Sequence, residues 1–432
     1  MARKLMVVLS LMLALSFFAV AEGSQESAPA DQVEITFWYF FGGEEGEFVR
    51  STIEKFHQSQ TGITVEGTEV GWQNMEEKLQ VAITSGNPPD VGHGWFSTLS
   101  SWAPEGLMTP LTEYAEADAV DERDWIPVAW DALHWNDELY ALSDMINTSG
   151  FYYNNDLLKL AGLDGPAETI DELRDYMEAL TVRDSDGKIS QLGYVPWDVS
   201  LLEWGVPWGG SFYDEETRQL SINDPEYVEI LEWWMDTAQQ YGRDDILEFM
   251  QSYAGSGVRP DHPFHRGKLA ITYVGSWFGG WISRYAPDMD WFVAAPPRPD
   301  GGTIGTFGEL GSLYFIPTGA SNTDAGWELI KFLTSYENAG DFGAFIGNIT
   351  PYNTVNQSRD FLEQMPTFEH NGIVFSEMAE TNLVHTPLMP AFGEFRDNLR
   401  TAQDSVLFGE KEPQEALDEL NESMQEVIDS KF

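Results

Sequence analysis

Apolar positions along this chain change period in a regular order. Val33-Glu34-Ile35-Thr36-Phe37-Trp38-Tyr39 alternates and then turns aromatic, which predicts a first strand, with Phe40-Phe41-Gly42-Gly43-Glu44 as the loop at its end. From Glu45 to Ser59 the period lengthens, and Phe48, Ile53 and Phe56 recur at helical spacing. Ile63 to Val70 predicts a second strand. Met75 to Ser85 reads as a helix stopped by Gly86 with Pro88 and Pro89 beyond it, and Asp90 to Trp95 as a third short strand with a glycine-rich loop. This strand-helix-strand rhythm predicts a parallel sheet with helices on its faces.

Further along, Asp124 to Trp135 predicts a short aromatic helix, and Ile146 to Tyr153 an extended run before a helix over Asp156 to Ala161. Helices are expected over Ile170–Thr181, Glu226–Tyr241 and Ala325–Ser335, and Ala391 to Phe432 is mostly helical in pattern. Gly305 to Gly311 reads as a glycine-rich loop, and Ser312 to Ile316 as a strand after it. Leu269 to Val274 is apolar, β-branched or aromatic at almost every position, as in a strand buried on both faces. It stops at Gly275 and delivers Trp277 to the strand end, where open α/β sheets bind ligands; a packing role for the same tryptophan is the plainer alternative.

Composition narrows what such a fold can do. A chain of 432 residues with 42% hydrophobic content exceeds one ordinary core, so two domains are expected. Arg3 and Lys4 before the apolar run Leu5 to Val20, closed by Ala19-Val20-Ala21, predict a signal peptide over Met1 to Ala21, with Glu22 to Gln32 as a flexible spacer. There is no cysteine, which excludes disulfides, thiol catalysis and a lipid-modified N-terminal cysteine. The net charge of −48 makes nucleic acid and anionic membrane surfaces poor partners. No P-loop, dinucleotide, G-x-S-x-G or H-E-x-x-H pattern is present. Asp184-Ser185-Asp186-Gly187 is a turn rather than a calcium loop, because Val195 stands where the twelfth-position glutamate would be required. His262 and His265 fall in an irregular segment, so neither a metal nor a cofactor is expected. Carboxylate pairs carry no information among 71 acidic residues, which leaves a secreted glycosidase without specific support.

Five motifs in order carry a resemblance. They are Phe37-Trp38 in the first strand, Gly86-Asn87-Pro88-Pro89-Asp90-Val91, and Gly150-Phe151-Tyr152-Tyr153-Asn154-Asn155-Asp156-Leu157. Gly267-Lys268-Leu269-Ala270 with Gly275-Ser276-Trp277, and Ala325 to Leu333, complete the set. Together, behind a signal peptide and across the whole mature chain, they resemble the maltodextrin-type extracellular solute-binding proteins that feed ABC importers.

The resemblance implies an α/β periplasmic-binding-protein fold of two hinge-linked lobes with a central ligand cleft. Carried over, lobe one is 33–145 plus 270–315, and lobe two 146–269 plus 316–432, with hinges near Ser143–Thr148, Lys268–Ile271 and Tyr314–Pro317. The ligand is expected to be a sugar, whose C–H faces pack on aromatic rings while its hydroxyls take polar edges. The implied contacts are Trp197, Trp277, Trp208 and Gly209; Phe41, Gly42 and Glu44 in the first loop; His93 and Trp95 in the third; Asp144 and Glu309. Gly393 stands where a C-terminal aromatic is expected, with Phe392 beside it as a substitute. The implied partner is an ABC importer permease, and the protein is expected to be a secreted monomer. A cationic metabolite, such as a polyamine or quaternary amine, is the alternative ligand, because the same rings can cage a cation.

Overall fold

The computed structural model describes residues 32–120, 122–254, 261–303, 305–365, 374–375, 383–384 and 387–431. The expected signal peptide and nearly all of the spacer lie outside the described residues. In chain order the elements that matter here begin with β1 (Val33–Tyr39), α1 (Gly43–Ser59), β2 (Ile63–Glu69), α2 (Met75–Thr84), β3 (Val91–Gly94) and α3 (Phe96–Trp102). A long strand follows, β4 (Ala141–Asn154), then α4 (Ile170–Leu180), α5 (Leu201–Trp208) and α6 (Pro225–Tyr241). The chain continues through β5 (Ile271–Gly275), α7 (Phe278–Tyr285), β6 (Trp291–Ala294), β7 (Thr306–Phe315), α8 (Thr323–Leu333) and α9 (Tyr336–Ile346). The C-terminal helices are α10 (Phe392–Leu407) and α11 (Pro413–Asp429).

Local chemistry accounts for the helix ends. Thr169 and Glu172 exchange hydrogen bonds as a capping box at the start of α4, satisfying donors that the first turn leaves open. Gly209 closes α5 in the left-handed region, at φ 78°, where a side chain would be strained.

The main sheet runs β5–β4–β7–β3–β1–β2, with β6 also paired to β4. Strand β1 pairs in parallel with β2 and β3, whereas β7 enters antiparallel to β3 and to β4, so the sheet is mixed rather than parallel throughout. Strand β4 serves two neighbourhoods. Ala141 to Thr148 pair with β7, whereas Ser149 to Tyr153 pair with β5 and Phe151 to Asn154 with β6. The expected glycine-rich loop over 305–311 is part of β7, and the glycines are absorbed by register shifts between Leu310 and Leu313. The aromatic stretch expected as one helix splits into a short helix, Pro127–Asp131, and a hairpin turning at Asn136 and Asp137, both at positive φ. Residues of those two types tolerate such a turn.

Buried apolar residues form two clusters. One holds Ile35, Phe37, Val91, Leu329 and Ile330; the other holds Phe151, Tyr153, Trp204, Trp234, Phe395 and Leu417. Helix α8 packs on α1, β1 and β4, and α9 on α1 and β4. Helix packing therefore groups 323–346 with α1, β1 and β4, and strand pairing groups β5 and β6 with the distal half of β4, a grouping that differs from the expected division at 270–294 and 316–346. A Lys268–Ile271 hinge is also displaced, because Ile271 already pairs with Tyr153 in the distal half of β4.

Candidate functional site

Strands β4 and β7 cross where β7 changes register, and a cleft of about 410 Å3 opens beside that crossing. Its floor is Met145, Asn147, Gly311 and Asn348. One wall is the loop after β1, with Phe40, Phe41 and Gly42, and Glu45 in the first turn of α1, together with Trp72 after β2 and Trp95 after β3. The other wall is Trp277 and Trp281, with Ile346 closing the end of α9. Each loop leaves the C-terminal end of its strand, where backbone groups are released from the ladder and side chains can converge.

Ring geometry fixes the first wall. Trp95 stacks on Phe40 at 4.1 Å and 11°, Phe40 stacks on His93 at 3.9 Å and 10°, and His93 stacks on Tyr314 at 4.7 Å and 7°. A column of four rings thus runs from the cleft to β7. On the opposite wall Trp277 and Trp281 lie 4.3 Å apart at 55°, one helical turn from each other. Gly275 leaves room for this arrangement, since a Cβ there would collide with the Trp277 indole nitrogen. Trp72 is 63% exposed, an unusual position for a tryptophan unless something covers it.

Behind the rings lies a buried polar group. His93 and Asp144 are both buried; His93 Nε2 is 2.5 Å from Ser312 Oγ, and Tyr314 donates its hydroxyl to Asp144 Oδ2 at 2.7 Å. Burial holds the imidazole well below its usual pKa, so it is neutral. Burial also pushes the Asp144 carboxyl up to about 7, with the Tyr314 hydrogen bond offsetting part of that rise.

The structure brings Phe41, Gly42, Trp95 and Trp277 of the sequence-predicted residues to this cleft. Glu44 sits at its edge, 3.0 Å from Arg284 of α7. His93 and Asp144 support the wall from behind. Glu309 pairs with Asn147 through the β7 backbone, and its side chain lies outside the described residues. Trp197 packs between the two apolar clusters. Trp208 stacks on Trp233 at 5.9 Å in a separate groove of about 330 Å3, with Gly209 beside it as the helix cap. Phe392 is core: it is 3% exposed against Phe212 and Phe395, because the first turn of α10 faces inward. A larger groove of about 570 Å3, between the 134–139 hairpin and Tyr213–Arg218, holds none of the predicted residues and lies away from the strand crossing.

Sequence reasoning missed Trp72, Trp281, Asn147 and Asn348. The signals for two of them were present: Trp72 follows a glycine at the end of a predicted strand, and Trp281 stands four residues after Trp277. Nothing local marks the asparagines, which acquire a role only when the strands cross. Among the described residues no group of three or more His, Asp or Glu could hold a metal ion, and no helix is long and apolar enough to cross a membrane.

Known proteins place this architecture. Residues 42–340 match the family of bacterial extracellular solute-binding proteins, and the chain belongs to it. It is 24% identical over 277 residues to the maltotriose-binding protein of Pyrococcus abyssi, covering 61% of this chain and 54% of that one. The chain thus spans about half the length of that relative. It is also 24% identical to the sn-glycerol-3-phosphate-binding periplasmic protein of Pectobacterium atrosepticum, over 93% of this chain and 92% of the other. Among solved structures, CpMnBP1 with mannobiose bound superposes with a TM-score of 0.79 at 24% identity, covering 90% of this chain and 99% of that chain. The fold is the two-lobed type of these solute-binding proteins.

Proposed function

We propose that this protein is a secreted receptor that captures a sugar or short oligosaccharide between its lobes and hands it to the permease of an ABC importer. The observation that carries the reading is the lining of the cleft. Trp72, Trp95, Trp277 and Trp281 offer flat apolar faces, Asn147 and Glu45 offer polar edges, and no lysine or arginine is among the lining residues. Sugar rings are bound by that combination, whereas a phosphate ester needs cationic partners. The mannobiose and maltotriose named for similar proteins fit the same chemistry.

In this reading one lobe comprises β1–β3 with 306–346, the other 149–305 with the C-terminal helices, and β4 and β7 are the hinge strands. Closure brings the Trp95 wall onto the Trp277 wall with the ligand between them. No reaction is performed, the receptor is monomeric, and a signal peptide over Met1 to Ala21 directs export. Calorimetric titration of the mature protein with mannobiose, maltotriose, glycerol 3-phosphate and putrescine tests the reading. Binding of a sugar alone is expected, and binding of the amine alone would replace the ligand class with a cation.

A further inference from the structure

Asn348 is fully buried and lies at the cleft floor. Its Oδ1 accepts a hydrogen bond from the Ser276 hydroxyl at 2.6 Å, and its Nδ2 donates to Asn147 Oδ1 at 2.6 Å. The same nitrogen is 3.0 Å from Met145 Sδ. A carboxamide set between a hydroxyl and another carboxamide can be turned end for end with equal hydrogen bonding, because a hydroxyl both donates and accepts. Those two partners therefore leave its direction open. The thioether closes the question. Methionine sulfur accepts weakly and never donates, so the amide NH2 must face it and the amide oxygen must face Ser276.

Setting Asn348 also sets Asn147. The Asn147 oxygen is occupied by Asn348, and its NH2 group is left for the cleft. Gly311 holds that carboxamide in place, since a Cβ at 311 would stand 2.7 Å from its atoms and no other residue could pack so close. Ser276 is in turn anchored by its backbone N–H, which donates to Thr148 O at 2.7 Å and ties the Trp277 turn to β4.

We propose that Asn348, oriented by the Met145 thioether, is a positioning residue that fixes the hydrogen-bond polarity of the cleft floor. Asn147 then meets the ligand as a donor and selects a hydroxyl or ring oxygen that accepts. The identity of the ligand rests on the sugar reading above; the polarity belongs to the ligand-free protein and is tested separately.

The first arm uses ligand-free, 15N-labelled protein and follows hydrogen exchange of the side-chain amides. Slow exchange at Asn348 and fast exchange at Asn147, differing roughly tenfold or more, are expected, because only the former is bonded inside the protein. A protected Asn147 NH2 would overturn the proposal, since it would mean the relay runs the other way. In Met145→Leu the Asn147 amide is expected to split into two sets of signals; one unchanged set would show that the sulfur does not set the direction.

The second arm titrates mannobiose and maltotriose, with their singly fluorinated analogues, into wild type and Asn348→Asp. A carboxylate at 348 offers only acceptors, so Asn147 must turn its NH2 inward and present its oxygen to the ligand. Wild type is expected to tolerate fluorine at the contacted position, because fluorine still accepts. The variant is expected to lose roughly tenfold to a hundredfold for the parent sugar, and more for that one analogue. Undiminished binding in the variant, or equal losses for every analogue, would overturn the proposal. If wild type binds neither sugar, the sugar reading fails, and the polarity stands or falls on amide exchange alone.

Discussion

Tyr314 donates its hydroxyl to Asp144 Oδ2 at 2.7 Å where β7 crosses β4, so a carboxyl group is sealed between the two strands. Its second oxygen, Oδ1, has no hydrogen-bond partner among the described residues. His93 and Ser312 complete the group on the β3 side, and the Asp144 charge also bears on the buried Tyr352 hydroxyl.

Stability should therefore depend on pH near neutrality. The Asp144 carboxyl titrates at about 7 in the folded chain against an ordinary 3.8, so the folded state binds this proton more tightly than the unfolded state does. The contribution is present below about pH 4, is lost as pH rises from about 4 to 7, and is level above that, amounting to something on the order of 4 kcal/mol. Urea unfolding at pH 5 and pH 8 measures it. In Asp144→Asn, which keeps an acceptor for Tyr314, the dependence in this window should flatten and stability at pH 8 should rise.

The exposed tryptophan at the rim separates binding from folding. Trp72→Ala removes a side chain that is 63% exposed, so the melting temperature should stay within a degree or two, because surface changes are usually within about 0.5 kcal/mol. Sugar affinity should fall by roughly tenfold or more if the ring covers the ligand. Trp204→Ala, in contrast, empties a core position that is 1% exposed and should cost about 3–5 kcal/mol of stability. Equal effects of the two substitutions on melting and on affinity would remove the distinction.

The Glu44–Arg284 pair should act on kinetics more than on stability. Both side chains are substantially exposed, at 62% and 35%, so the pair is worth at most about 1 kcal/mol and is screened by salt. Because it joins the start of α1 to α7 beside the cleft, Glu44→Gln should raise the ligand dissociation rate roughly twofold to fivefold at low ionic strength, with little difference at 1 M salt. Stopped-flow tryptophan fluorescence reads this, and a salt-independent change would point to another cause.

Gly311→Ala tests the floor. The added Cβ meets the Asn147 carboxamide at 2.7 Å, and the crowding should cost about 1–3 kcal/mol as well as displace Asn147. Affinity should fall in parallel, as titration of the purified variant would show.

Much of the first half of the fold was legible because its information is local. The alternation in Val33–Tyr39, the helical spacing of Phe48, Ile53 and Phe56, and the stop at Gly86 each report one element by its own period. The β4–β7 crossing was not legible in this way. Glycines 305, 308 and 311 read as a loop, yet long-range pairing with β4 holds most of that segment in a strand. The division of 270–294 was hidden for the same reason, since it depends on which half of β4 each later strand joins. Of the site, the aromatic residues at strand ends could be named in advance. Phe392 lies in the core and Trp208 in a separate groove, because aromatic character alone does not tell a cleft plate from a core filler. Asn147 and Asn348 are ordinary asparagines until three segments meet.

In the proposed function, the cleft between the Trp95 and Trp277 walls takes a sugar. Titration of mannobiose and maltotriose into wild type and Trp277→Ala, followed by calorimetry, tests it most directly. Saturable binding of at least one sugar by the wild type, weakened by roughly thirtyfold or more in the variant, is the expected result. Sugar binding of equal strength in both proteins would contradict the placement of the site, and binding of neither sugar, with uptake of putrescine instead, would contradict the ligand class.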